Sequence, residues 1–285
     1  MIAALLLLLA VVLAWPTPRM MARQAWPRRN PRAALIAWQA VTLSAIVAAV
    51  AAAPAILPLI LFDGQAVWQH PMLMAVATAV SAIMLGRLLL AGHRIGRRMR
   101  KVRTRHRELV DIIAHYDDAA ADLRILEHPT PTAYCLPGRE RRVVVSRGVV
   151  EALDDTELAA VLAHEHAHLR GRHDLLVEFF SVIHETVPAP VRCSAAMREV
   201  RLLIEVLADR AAVRSVGAAA TARALDVLAG GTAPEAAMGA SAAGQAPVRI
   251  SLLRPSASPV VTGVMYGYAA TLLVLPILLF ASAWT

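Results

Sequence analysis

The chain has 285 residues, of which 58% are hydrophobic and 18% charged, with a formal net charge of +8 and two cysteines. A mean hydropathy of +0.54, with the apolar residues gathered in blocks, excludes an ordinary soluble domain and points to membrane spans. Cys135 and Cys193 fall in the part that the charge pattern below puts in the cytoplasm, so no disulfide framework is expected, and with no metal-type partner at short spacing they read as buried free thiols.

In chain order, residues 2–15 form a short, wholly apolar block. No basic stretch precedes it, and Trp15-Pro16 followed by arginines stands where a small-residue cleavage site would be, so it reads as an uncleaved anchor. Residues 33–62 carry no charge, and Pro54 and Pro58 are expected to kink them. Residues 72–91 are interrupted only by Arg87, whose long side chain can snorkel to the interface. Residues 260–283 are again uncharged. Four transmembrane helices are expected, three within 1–92 and the fourth within 260–285.

Positive charge sets the orientation. Arg19, Arg23, Arg28, Arg29 and Arg32 lie between the first two blocks, and Arg94, Arg97, Arg98, Arg100, Lys101, Arg103, Arg105 and Arg107 follow the third. The loop between the second and third blocks holds Asp63 and no Lys or Arg. Basic excess marks cytoplasmic loops, so 93–228 is expected in the cytoplasm of a multi-pass inner (plasma) membrane protein with both termini outside. The rest of the chain holds more acid than base. The charge therefore belongs to the lipid surface, and no direct nucleic-acid partner is expected.

Residues 99–123 read as a helix leaving the membrane, basic first and then amphipathic. Ile125-Leu126, Ala133–Leu136 and 143–146 are short apolar or β-branched runs broken by Pro129, Pro131 and Pro137-Gly138, which predicts a small hairpin turning at Pro137-Gly138. Asp155-Thr156-Glu157 opens a helix with Asp or Thr as its cap, and Gly171 can end it. Asp174 starts a second helix that stops before Pro188, and 196–216 is a long third one. The segment 229–259, rich in Gly, Ala and Ser up to 247, reads as a flexible linker or lid.

The first of these helices carries His164-Glu165-His166-Ala167-His168, an H-E-x-x-H motif. Residues four apart share a helix face, so His164 and His168 can offer imidazole nitrogens to one ion, with Glu165 placed to take a proton from the attacking water. A catalytic zinc needs a third ligand, and Glu205 is the best candidate. Asp209, one turn further on, could accept a hydrogen bond from a ligating imidazole. Without the upstream motif, the same two acids would read as an exposed i,i+4 pair. His166 faces another side of the helix, His173 reads as a surface residue, and His184 is a candidate oxyanion stabiliser. The strand at 143–146 is a candidate edge for pairing with an extended substrate.

The run Ala133-Tyr134-Cys135-Leu136-Pro137-Gly138, the stretches 143–148 and 156–168, and Glu205-x-x-Ala208-Asp209 resemble the membrane-bound gluzincins. These include HtpX and the CAAX prenyl proteases, and especially the BlaR/MecR antirepressor peptidases. The resemblance covers residues 95–217 and the order of spans. It implies a mainly α membrane protein with a cytoplasmic α+β zincin-type domain, a small β-hairpin plus active-site helices. It also implies one Zn2+ per chain on His164, His168 and Glu205, with Glu165 as catalytic base and Asp209 in support. The implied activity is a zinc endopeptidase acting on a transcriptional repressor, a membrane protein or itself, with the Gly/Ala-rich 229–247 segment as the place for self-cleavage. BlaR-type sensors carry a penicillin-binding domain after the last span; here Thr285 follows that span directly, so β-lactam sensing is not expected. The alternative is a non-catalytic zinc-binding membrane regulator, against which the presence of a base beside the ligands speaks. A metal transporter fits poorly, because the spans hold only Arg87 as an ionisable group.

Overall fold

The computed structural model describes residues 1–58, 71–117, 120–138, 140–229, 245–254 and 258–284. Its helices are α1 (Ile2–Ala14), α2 (Pro16–Ala22), α3 (Pro31–Ala51), α4 (Pro71–Ile113), α5 (Arg147–Ala152), α6 (Asp155–Gly171), α7 (His173–Thr186), α8 (Ser194–Val216), α9 (Ala218–Leu228), α10 (Ala246–Ser251) and α11 (Pro259–Ala281). Its strands are β1 (His115–Asp117), β2 (Ala120–Leu126), β3 (Ala133–Leu136) and β4 (Arg142–Ser146). The chain divides into two units, one of residues 1–94, 180–200 and 257–285, the other of 95–179 and 201–256.

Among the described residues, four helical stretches are long and apolar enough to cross a membrane: Ile2–Ala22, Pro31–Ala51, Pro71–Ile113 and Pro259–Ala281. They belong largely to the first unit, where α1 and α11 pack along α3. That closeness follows from sequence: α3 buries Ala33, Ala37, Ala40, Ala45, Ala48 and Ala49, and small side chains let helix backbones approach. Polar groups inside this bundle are bonded. Ser44 Oγ donates to the Leu272 carbonyl at 2.7 Å, and Ser81 Oγ donates to the Ala49 carbonyl at 2.9 Å while accepting the Ala53 N–H at 3.1 Å. The second apolar block does not run on as one helix to 62. It ends at Ala51, and a 3-10 turn follows at Pro54–Ile56, because proline cannot extend the α-helical ladder. Arg87 does not snorkel away from the protein either: it donates to the carbonyls of Glu185 and Thr186 at the end of α7.

The second unit is built on a four-stranded sheet of order β1-β2-β4-β3. β3 and β4 form the expected antiparallel hairpin around Pro137-Gly138. β2 runs parallel to β4, and β1 pairs antiparallel with β2. Two expectations are corrected here. The helix expected over 99–123 ends at Ile113, and the chain turns into β1 and β2, whose partner β4 lies far along the sequence. β4 is an inner strand, bonded on both sides, so it has no free edge for a substrate; the edge strands of the sheet are β1 and β3. Its side chains Val143, Val144 and Val145 are all buried, as an inner strand requires.

Tyr134, Leu136 and Val144 pack with Val110 and Ala114 on one side of the sheet region. A second cluster joins Val149, Leu153, Ala160 and Val161 to Ala212 and Ala224, fixing α6 against α8 and α9. The linker expected at 229–259 is replaced, over the described part, by α10, with Ala246 and Arg249 buried. The self-cleavage segment lies mostly outside the described residues, since 230–244 are not among them.

Candidate metal centre

The cap of α6 is Asp154, one residue before the first expected position. Asp154 Oδ1 accepts the Glu157 N–H at 2.8 Å and Glu157 Oε2 accepts the Asp154 N–H at 3.1 Å, a capping box that needs its acid three residues after the cap. Glu157 is also paired with Arg223. At the other end, Gly171 is followed by Arg172 with φ 47°, a left-handed turn, and then by His173. A Cβ at Gly171 would stand 2.5 Å from His173 Nε2. The glycine thus lets the chain fold His173 back over the helix end, against His168.

α6 and α8 bring the predicted ligands together. His164, His168 and Glu205 each offer one ligand atom, all within 4.8 Å of one another. The Nε2 atoms of His164 and His168 are 3.0 Å apart, and they lie 3.5 and 3.6 Å from the Glu205 oxygens. Each ring is held from behind by its other nitrogen. His164 Nδ1 meets Asp209 Oδ1 at 2.9 Å, and His168 Nδ1 meets His173 Nδ1 at 2.9 Å. Ligating imidazoles are oriented by such outer partners.

Two members of this arrangement are not legible as site residues in the sequence. His173, expected on the surface, is 6% exposed and supports His168. Its signal is the glycine two residues before it, small enough to allow the turn. Arg249 falls in the expected linker, yet its guanidinium donates to both oxygens of Asp209, at 2.8 and 2.6 Å, and its Nη1 stands 3.2 Å from Glu205 Oε2. Nothing around Arg249 in the sequence separates it from a surface arginine. His166 points elsewhere, bonding the Leu162 carbonyl and Asp122. His184 lines an apolar cavity of the first unit instead of an oxyanion site.

Burial and charge together set the electrostatics. Burial disfavours charge on His164, but its hydrogen bonds to Asp209 and Glu205 outweigh this and push its pKa up to about 10. Burial and the neighbouring His164 charge hold His168 down to about 3, and burial holds His173 down to about 4. Burial pushes Glu165 up to about 7. Asp209 and Glu205 stay below the usual carboxylate range despite burial, because Arg249 and the histidines favour their ionised forms. Cys135, fully buried on β3, has its thiol pushed well above the ordinary value by burial and by Glu165 beside it.

The residues fit a divalent metal, typically zinc. Two imidazole nitrogens and one carboxylate are the donor set of a catalytic zinc, which keeps a fourth position open. Glu205 Oε2 is buried and faces Arg249 Nη1 at 3.2 Å and His164 Nε2 at 3.5 Å, so the carboxylate is held ionised where a metal ion would need it. Glu165 Oε2 is buried and unbonded next to the ligands. With both ligating imidazoles neutral, as metal binding requires, the three carboxylates Glu165, Glu205 and Asp209 exceed Arg249 by two charges, which a divalent ion would balance.

Comparison with known proteins agrees with this geometry. The sequence profile of peptidase family M48 matches residues 97–241, a stretch that holds His164 through Asp209 and leaves Arg249 outside. The chain is 35% identical over 118 residues to plastoglobule-localized metallopeptidase 48, chloroplastic, of Arabidopsis thaliana, an alignment covering 38% of this chain. The matched stretch spans only 34% of that relative's length. No solved structure matches the chain.

Proposed function

The chain belongs to peptidase family M48, and from that premise we propose that it is an integral-membrane zinc endopeptidase whose active site is the His164–His168–Glu205 cluster. The observation that carries this reading is the convergence of those three donors with Glu165 buried beside them. When bound, zinc supplies Lewis-acid polarisation of the scissile carbonyl and lowers the pKa of water. Glu165 Oε takes the proton from the attacking water and returns it to the leaving amine; its pKa near 7 suits both transfers. Asp209, fixed by Arg249, holds the His164 ring through Nδ1, and His173 holds His168. β3 packs against α6 and lies at the sheet edge, so an extended substrate pairs there and not on β4.

The four long apolar helices and the alternation of basic loops support a multi-pass protein with this domain in the cytoplasm and the termini outside. The family match carries the activity class and not the BlaR/MecR subtype, so the substrate is proposed as a protein: a repressor, a membrane protein or the chain itself. A proteomic comparison of cells carrying the wild type with cells carrying Glu165→Gln tests this. Full-length forms of specific proteins should accumulate in the variant. Identical proteomes and identical terminal peptides would refute the reading.

A further inference from the structure

The first unit contains a partly open cavity between its helices. Its wall is apolar and is drawn from several helices: Leu13 of α1, Trp38 and Ala45 of α3, Met84 of α4, Ile183 of α7 and Ala196 of α8. The threonines that border it are turned away from a ligand. Thr42 Oγ1 donates to the Trp38 carbonyl and Thr186 Oγ1 to the Val182 carbonyl, each at 2.8 Å. Arg192 is taken up by the Val187 and Glu185 carbonyls, so apart from the His184 imidazole such a wall has little to offer a polar molecule or a peptide backbone. It suits a hydrocarbon chain, and helices able to cross a membrane would place it within reach of one.

The edge of the cavity carries a charge. Arg19 follows Pro18, a lining residue, and donates to the carbonyls of Trp15 at 2.7 Å, Val191 at 3.3 Å and Arg192 at 3.4 Å. It also lies 5.9 Å from the centre of the Trp15 ring. Among the described residues its partners are carbonyls and this ring, with no carboxylate. The guanidinium is therefore held in place at the cavity edge with its positive charge uncompensated. Basic pockets between membrane helices favour anionic lipid headgroups.

We propose that this cavity seats one acyl chain of an anionic phospholipid whose phosphate group lies at Arg19. The chain satisfies the apolar wall, and the phosphate satisfies a cation that already has its geometry fixed. The proposal rests on the membrane reading above and is independent of peptidase activity.

The test uses the full-length protein purified in detergent and titrated with phosphatidylglycerol or phosphatidylcholine, with bound lipid counted by native mass spectrometry. One phosphatidylglycerol should bind, about fivefold tighter than phosphatidylcholine, whose choline cation offsets its phosphate, as expected for one arginine facing a net anionic headgroup. Arg19→Gln should keep chain binding and abolish that preference. Ala45→Phe together with Ala196→Phe fills the cavity and should lower retention at least tenfold. A second measurement does not depend on those variants folding: phosphatidylglycerol with brominated chains should quench Trp38, and Trp38→Phe should remove that part of the quenching. Absence of retained lipid, equal retention by the filled variant, equal binding of both lipids, or no quenching of Trp38 would each overturn the proposal. A protein that stays soluble without detergent would overturn the membrane reading as well, whereas a detergent-dependent protein without lipid overturns this inference alone.

Discussion

Arg249 and Asp209 are 3% and 1% exposed, and their fork of two hydrogen bonds is closed within the interior. Replacing Arg249 by Met keeps an apolar stem and removes the charge, leaving the Asp209 carboxylate with His164 alone. Breaking a buried pair from one side costs about 3–5 kcal/mol, since the abandoned charge stays out of water. Loss of an outer partner of a metal ligand costs a further ~10–100-fold in metal affinity. Asp209→Asn alone strands Arg249 beside Glu205, at a cost of the same order. The double variant Arg249→Met/Asp209→Asn buries no unpaired charge at this pair, so its loss should fall short of the sum of the two single losses by roughly 1.5–3 kcal/mol. Thermal unfolding of the four proteins in one detergent, with a competition titration for zinc on each, measures this. Additivity within about 0.5 kcal/mol, or zinc affinity unchanged in Arg249→Met, would show that the pair does not support the site.

His173→Phe keeps the ring and removes the nitrogen that meets His168, so zinc affinity should fall ~10–100-fold with the helical circular dichroism unchanged. Gly171→Ala places a methyl group 2.5 Å from His173 Nε2 and should weaken zinc in the same titration while Gly171→Ser does no better; wild-type affinity in both would contradict the turn described. Asp154→Ala removes the α6 cap and should cost ~1 kcal/mol of stability, most of it recovered in Asp154→Ser, as read by denaturant titration. Burial holds the His106 imidazole below its ordinary value, so the unfolded chain takes up that proton first as the pH falls. Stability is therefore complete above about pH 6.5 and declines as the pH falls from there through the folded value. His106→Gln, which can still bond Tyr134 Oη, should flatten this limb of the stability curve.

The parts of the site written into local spacing are legible in the sequence. His164 and His168 share a face because four residues make about one helical turn, and Glu205 and Asp209 share one for the same reason. The four apolar blocks likewise fall on helical stretches long enough to cross a membrane, the second ending at Ala51 rather than at 62. What local spacing does not carry is pairing between distant segments. β4 is an inner strand because β2, far earlier in the chain, bonds its free side, and no pattern within 142–146 announces that partner. His173 has the sequence of a polar turn, because its burial depends on a left-handed Arg172. Arg249 has the sequence of a linker residue, because its two partners lie 40 and 44 positions away on α8.

In the proposed mechanism His164, His168 and Glu205 hold a zinc ion and Glu165 moves the proton in peptide hydrolysis. Zinc content and peptide-bond cleavage, measured on the same purified preparations of wild type and Glu165→Gln, test it most directly. One zinc per chain is expected in both proteins, with cleavage in the wild type only. Equal cleavage by the two, or a wild type that takes up no zinc, would contradict the mechanism.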